Sequence, residues 1–190
     1  MNTRVKGFIY LLLSAVYFGF MPLLVKVICA DGSTIVGALF LRFALAIIPL
    51  YIYLKVRKVP IELSVEEGKK ILCVTVFGYG ITALLLYSAY DYMPSGMATV
   101  IHFGYPVFVL LGSLIFLRRR VPKLKIVCVG LCMIGIFLSY AGSGGEAKPM
   151  GFVFALISGM TYAFYILYLE VGGLQDIPAM KMIFYMNLVG

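Results

Sequence analysis

Arg42 is the side chain whose type and position say most about the chemistry of this chain. It stands eight residues into an apolar run, Thr34–Leu54. If that run is a membrane-spanning helix, Arg42 lies roughly 12 Å deep at ~1.5 Å per residue. An arginine at such depth costs at least ~2.5–3.5 kcal/mol, so we expect it to face a bundle interior or a wet cavity. Its guanidinium fork suits a carboxylate or another anionic group. The alternative is a pairing with backbone carbonyls that locks two helices together.

His102 offers a second polar group at a similar depth. It is the single histidine of the chain and lies eight residues into the run Pro94–Leu117, four residues before Pro106. A proline removes the hydrogen bond to the carbonyl four residues back, so we expect a freed carbonyl and a kink beside the imidazole. Kinked helices near the midplane of a membrane often form binding sites. The alternative is a buried histidine whose ring is satisfied by a neighbouring hydroxyl.

Further polar side chains recur at helical spacing in three apolar runs. They could line a cavity, or they could pack helices together through small residues and hydroxyls. The candidate binding residues are therefore Arg42, His102 and Pro106 together with Ser14, Tyr17, Thr99, Tyr105, Thr161 and Tyr165.

Catalytic and metal chemistry find little support in the sequence. Cys128 and Cys132 share a helix face but have no third ligand nearby, which makes a poor metal site. No acidic residue lies deep within a complete apolar run. We therefore expect no metal, no cofactor and no enzymatic activity. We also expect no proton relay built from carboxylates in this part of the chain.

Composition identifies the elements that must position these groups. The chain is 63% hydrophobic and 13% charged, with a mean hydropathy of +1.04, whereas soluble domains are ~45–50% apolar and ~25% charged. Each membrane-spanning helix needs about 20 apolar residues. The sequence therefore predicts an all-α polytopic membrane protein with six full transmembrane helices and a truncated seventh. The predicted spans are Gly7–Ile28, Thr34–Leu54, Ile71–Tyr90, Pro94–Leu117, Leu124–Ala141 and Met150–Glu170, and the seventh begins near Met180.

Basic residues predict the orientation of these helices. They cluster before the first span, between the second and third, and between the fourth and fifth, whereas the opposite side carries only Lys26 and Lys148. By the positive-inside rule we expect a cytoplasmic N-terminus in a multi-pass protein of the plasma membrane. Short basic clusters between apolar runs are topology signals, so we expect no nucleic-acid partner.

An internal repeat suggests how the helices are organised. The segments Gly7–Val27 and Gly151–Val171 match without gaps at seven positions, among them Gly7 with Gly151 and Ser14 with Ser158. The second copy begins five helices after the first, an odd offset, which would make the repeat inverted in the membrane, a pattern typical of secondary transporters. We therefore divide the chain into a first five-helix repeat, residues 1–145, and the start of a second repeat, residues 146–190. We expect the missing C-terminal half, or a second copy, to complete the fold.

Several motifs resemble the EamA-type branch of the drug/metabolite transporter superfamily. They are Leu23-Leu-Val-Lys26, Leu41-Arg-Phe-Ala44, the stretch from Ala89 to Thr99, Tyr105-Pro-Val-Phe108, and Gly130 with Gly135. The resemblance implies ten helices in two inverted five-helix repeats around a central cavity. One departure is Arg118-Arg-Arg120, where the family commonly begins a turn with Glu.

The resemblance also implies a function. It predicts a secondary transporter, an exporter or permease, that moves small metabolites or amphipathic compounds by alternating access. The partners would be the lipid bilayer and a small-molecule substrate. The alternative is a truncated, non-transporting membrane protein or interaction partner. A four-helix multidrug pump does not match the number of spans.

Overall fold

The computed structural model describes residues 3–118, 121–142 and 148–189, and these residues form helices joined by turns. Six of the helices are long and apolar enough to cross a membrane. The prediction of an all-α polytopic membrane protein is thus confirmed. The predicted boundary at residues 145 and 146, together with Arg119 and Arg120, lies outside the described residues. The helices are α1 (Thr3–Ala30), α2 (Ile35–Val56), α3 (Val65–Ala89), α4 (Ser95–Ile115), α5 (Lys123–Ala141), α6 (Pro149–Val171) and the shorter α7 (Ala179–Val189).

Side-chain caps determine where α2 and α3 begin. The hydroxyl of Thr34 accepts a hydrogen bond from the Gly37 amide at 3.1 Å at the start of α2. Before α3, the Ser64 hydroxyl accepts from the Glu67 amide at 3.2 Å, and the Glu67 carboxylate accepts from the Ser64 amide at 2.8 Å. This reciprocal pair is a capping box, which satisfies amides that the first turn leaves unpaired.

The middle of α3 is π-helical, a feature that the sequence did not predict. The π segment runs over Val74–Gly80 and separates two α-helical segments. Within it, Gly78 meets α6 so closely that an added Cβ would lie 2.9 Å from the Cβ of Tyr165. π-Helical turns are often found at functional sites. In this chain the π segment contains Tyr79, whose hydroxyl accepts a hydrogen bond from Arg42.

The fourth helix is broken, as Pro106 led us to expect. Its first segment ends at His102, a turn occupies Phe103 and Gly104, and the second segment begins at Tyr105 with Pro106 in its first turn. Gly159 of α6 faces this break, because a Cβ at that position would lie 3.1 Å from the His102 carbonyl oxygen. The break is therefore packed closely against α6.

The described core is centred on α6, which packs against α3 and both segments of α4. None of the residues of α5 is buried, and little of α1 is. α7 lies beside α2. Its Tyr185 hydroxyl donates to the Ile61 carbonyl, and the buried Lys181 donates to the Glu62 carbonyl. These bonds attach α7 to the loop between α2 and α3.

Candidate functional site

Two tyrosine hydroxyls of α3 hold the guanidinium of Arg42. Nη1 of Arg42 donates to the Tyr87 hydroxyl at 3.0 Å, and Nη2 donates to the Tyr79 hydroxyl at 3.0 Å. The Tyr87 ring is 3% exposed, whereas Tyr79 is half-buried. Arg42 therefore joins α2 to α3 through hydroxyls, and not through the backbone carbonyls considered from sequence.

The surroundings of Arg42 are aromatic and uncharged. Its Cζ lies 5.6 Å from the ring centroids of Phe43 and Tyr79 and 6.0 Å from that of Tyr87. Within residues 3–118, 121–142 and 148–189, no carboxylate forms an ion pair with it. A tyrosine hydroxyl that accepts from arginine keeps its own proton to donate. The arrangement thus presents a fixed positive charge together with O–H donors, which suits an anionic group.

His102 is bound to α6 by a hydrogen bond that also defines its tautomer. The ring is 2% exposed, and Nδ1 lies 2.9 Å from the Ser158 hydroxyl oxygen. Ser158 donates its own proton to the Ala155 carbonyl at 2.6 Å. The hydroxyl must therefore accept from His102, so Nδ1 carries the proton and Nε2 of a neutral ring is an acceptor. The contact matches the alternative in which a neighbouring hydroxyl satisfies a buried histidine.

Arg42 and His102 line the same small cavity, which we call the central cavity. Its volume is about 60 Å³, and Phe18, Tyr87 and Tyr162 contribute to its wall. A flanking cavity of about 410 Å³ lies on the other side of His102. Phe18, His102 and Tyr162 line both spaces. The structure thus brings the two mid-depth polar residues to one site.

The remaining predicted residues divide between this site and its surroundings. Ser14, Thr99 and Tyr105 line the flanking cavity. Tyr17 lines neither cavity, and its side chain is 74% exposed on α1. The structure therefore does not bring Tyr17 to the other candidates.

The two candidates of α6 and Pro106 support the cavity walls. The Thr161 hydroxyl lies 2.6 Å from that of Thr82, which lines the central cavity. The Tyr165 ring stacks on Tyr162 with 5.4 Å between centroids and lies 6.1 Å from Tyr79. Pro106 lies in the first turn after the break in α4.

Sequence reasoning missed Tyr79, Tyr87 and Tyr162. Tyr79 and Tyr87 lie in the third apolar run, and a tyrosine buried in such a run needs a partner for its hydroxyl. An unpaired arginine in the neighbouring span is such a partner, so this signal was present in the sequence. In the part of the chain that the structure describes, no group of three His, Cys, Asp or Glu side chains could hold a metal ion.

Comparison of the sequence with known proteins identifies its family. The model of the EamA-like transporter family matches residues 5–141. The chain belongs to the EamA-like transporter family. This EamA-like chain is similar to an uncharacterized transporter of Clostridium kluyveri, at 23% identity over 84% of the chain and 54% of the relative. It is also similar to an uncharacterized transporter of Archaeoglobus fulgidus, at 29% identity over 76% of the chain and 52% of the relative.

This EamA-like chain differs in length from its relatives. The chain spans about half the length of the curated relatives it matches. No solved structure matches it.

Proposed function

We propose that the protein is a secondary transporter, an exporter or permease, of small metabolites or amphipathic compounds that carry an anionic group. It would act in the plasma membrane with a cytoplasmic N-terminus, in keeping with the asymmetry of its basic residues. The observation that carries the proposal is the setting of the Arg42 guanidinium, which lines the central cavity and donates hydrogen bonds to two tyrosine hydroxyls. Among the described residues, no carboxylate forms an ion pair with it.

The charge of Arg42 supports recognition of an anion. Arginine stays protonated in proteins, and a buried charge is stable only when it is paired or well hydrogen-bonded. Two neutral hydroxyls satisfy two of its five N–H donors. A carboxylate could accept from further guanidinium N–H groups and from the hydroxyls. On the same wall, Nε2 of His102 could accept a hydrogen bond from a substrate N–H or O–H.

The proposed transport would proceed by alternating access, which requires the cavity to enlarge. The central cavity, at about 60 Å³, is smaller than the ~300–1,000 Å³ of typical ligand sites. A metabolite in contact with Arg42 would extend into the flanking cavity, or the walls would separate as it binds. In the proposed cycle the bundle rocks against a second bundle around the midplane site. That second bundle would be a further five-helix unit or a second copy of the chain.

Transport in proteoliposomes tests the role of Arg42. The protein expressed from its complete reading frame is screened with a panel of small carboxylates and their neutral amides. Arg42→Lys keeps the charge but loses the fork, so we expect a higher half-saturating concentration of the transported carboxylate at normal expression. Loss of expression with unchanged affinity in the surviving protein would assign Arg42 to helix packing.

Two substitutions at His102 separate its structural bond from substrate contact. The amide nitrogen of asparagine can replace Nδ1, so His102→Asn should retain the bond to Ser158 while losing the Nε2 acceptor. We expect normal folding and weaker transport. His102→Gln cannot titrate and should leave the pH dependence of transport unchanged. Unaltered transport by His102→Asn would give His102 a structural role only.

Absence of transport for every compound would favour the second interpretation, a non-transporting membrane protein or interaction partner.

A further inference from the structure

A third cavity opens at the end of the bundle where α1 ends and α2 begins, and we call it the vestibule. Its volume is about 410 Å³. Its wall comes from α1, from the first turn of α2, and from the end of α3 with the residues that follow it. Its lining includes Lys26, Cys29, Ile35, Tyr87, Tyr90 and Asp91.

The vestibule adjoins the central cavity. Tyr87 and Tyr90 line both spaces, and Tyr87 is also the acceptor for Nη1 of Arg42. Along α2, Arg42 lies seven residues beyond Ile35 of the vestibule wall, which is roughly 10 Å at ~1.5 Å per residue. The ring of Tyr87 thus separates the vestibule from the guanidinium.

One face of α1 follows the whole series of cavities. Ser14 lines the flanking cavity, Phe18 the flanking and central cavities, Pro22 the central cavity, and Cys29 the vestibule. Residues at spacings of three, four and seven share one side of an α-helix. The three cavities therefore form a row along α1, from the middle of the bundle to its end.

Among the described residues, two positively charged side chains and one negatively charged side chain line the vestibule and the central cavity. Lys26 contributes a cation to the vestibule, Arg42 contributes a cation to the central cavity, and Asp91 is the acidic residue of the vestibule wall. Lys26 and Asp91 form no ion pair within 4.0 Å in the part of the chain that the structure describes. The two cations outnumber the one acidic residue, and a cleft with an excess of one sign of charge raises the local concentration of ions of the opposite sign.

We propose that Lys26 is a specificity-determining residue, the first cationic contact of an anionic substrate on its way between the end of the bundle and Arg42. Asp91 opposes Lys26 and weakens this contact, so that the substrate can leave again. Sites along a path must bind favourably and yet release their ligand. The inference rests on the proposed function, because Arg42 is the site to which the vestibule leads.

Cys29 provides a probe of the vestibule that needs no substrate. It follows Lys26 by three residues on the same helix, so their Cβ atoms are about 5–6 Å apart. In the complete protein, every cysteine except Cys29 is replaced by serine. Its modification is timed in detergent with an anionic reagent, 2-sulfonatoethyl methanethiosulfonate, and a cationic one, 2-trimethylammonioethyl methanethiosulfonate. The ratio of the two rates cancels any change in the reactivity of the thiol itself.

The two vestibule charges should shift this ratio in opposite directions. For a separation of about 6–10 Å between the Lys26 ammonium and the charge of the reagent, one unit charge in water changes each rate about two- to threefold, so Lys26→Gln should lower the anionic-to-cationic ratio about four- to tenfold. Asp91→Asn should raise it, and Lys26→Arg should preserve it. The matched control is Lys123→Gln, which removes an exposed lysine at the other end of the bundle and should leave the ratio unchanged.

Two results would overturn the proposal. The first is a ratio that Lys26→Gln leaves unchanged, and the second is a Cys29 that reacts with neither reagent until the protein is unfolded. Because the labelling uses no substrate, its failure is distinct from failure of the Arg42 experiment. In transport, Lys26→Gln should raise the half-saturating concentration of the carboxylate and reduce its dependence on salt, with both restored by Lys26→Arg.

Discussion

The two tyrosines that hold Arg42 should contribute unequally to stability. Both hydroxyls lie 3.0 Å from the guanidinium, but Tyr87 is 3% exposed, whereas Tyr79 is half-buried. Because Tyr87 is the more deeply buried of the two, water replaces the lost acceptor less readily in Tyr87→Phe than in Tyr79→Phe. Interhelical hydrogen bonds in membranes contribute ~0.6–1.7 kcal/mol, and bonds to an ionised group are roughly twice as strong. We therefore expect Tyr87→Phe to lower the free energy of unfolding by about 2 kcal/mol and Tyr79→Phe by about 1 kcal/mol.

Equilibrium unfolding in mixed micelles measures both values. A gap of about 1 kcal/mol corresponds to roughly a fivefold difference in the unfolding equilibrium. Tyr90→Phe is the matched control, because it removes a hydroxyl on the same cavity wall whose contact with the Thr99 hydroxyl is long, at 3.4 Å. We expect it to cost about 0.5 kcal/mol or less. An equal or larger effect of Tyr79→Phe, or a Tyr87→Phe effect no greater than that of the control, would show that burial does not set the strength of these two hydrogen bonds.

Two further predictions concern packing at the helix break and orientation in the membrane. Gly159→Ala should destabilise the protein by about 1–3 kcal/mol, because its Cβ would lie 3.1 Å from a backbone oxygen at the break in α4. Gly130→Ala, with nothing within 4 Å, should be neutral or slightly stabilising, and equal effects in unfolding experiments would contradict the packing argument. For orientation, an impermeant thiol reagent applied to intact cells should label Ser33→Cys but not Lys58→Cys, in a background without native cysteines. Labelling of Lys58→Cys alone would reverse the proposed orientation.

The helices themselves were largely predictable, because their signals are local. Runs of about 20 apolar residues mark the spans, and α7 begins at Ala179, next to the predicted Met180. Ser64 and Glu67 form a capping box, which is a local signal because it depends on only four consecutive residues. Pro106 indicated the break in α4, although the turn itself falls two residues earlier, at Gly104.

The partners of Arg42 were not predicted, for a physical reason. The third span contains Tyr79, Tyr87 and Tyr90, and its sequence does not tell which of these hydroxyls meets α2. The π segment has no sequence signature either, and it forms where Gly78 lets α3 approach Tyr165 of α6. Both features depend on contacts between distant parts of the chain.

Tyr17 shows that polar residues at helical spacing do not always line a cavity. Three residues along an α-helix correspond to a rotation of about 60° around its axis. Ser14 lines the flanking cavity, whereas Tyr17 is exposed. Helical spacing alone does not show where such a stripe leaves a cavity.

The most direct test of the central claim, that Arg42 binds an anionic group of the substrate, pairs a change in the protein with a change in the substrate. Half-saturating concentrations are measured for a transported carboxylate and for its neutral amide, in the wild type, Arg42→Lys and Arg42→Gln. A desolvated charge pair couples by ~1.5 kcal/mol or more, so the wild type should prefer the acid by at least about tenfold. We expect this preference to fall in Arg42→Lys and to disappear in Arg42→Gln. A wild-type preference that persists undiminished in folded Arg42→Gln would contradict the account.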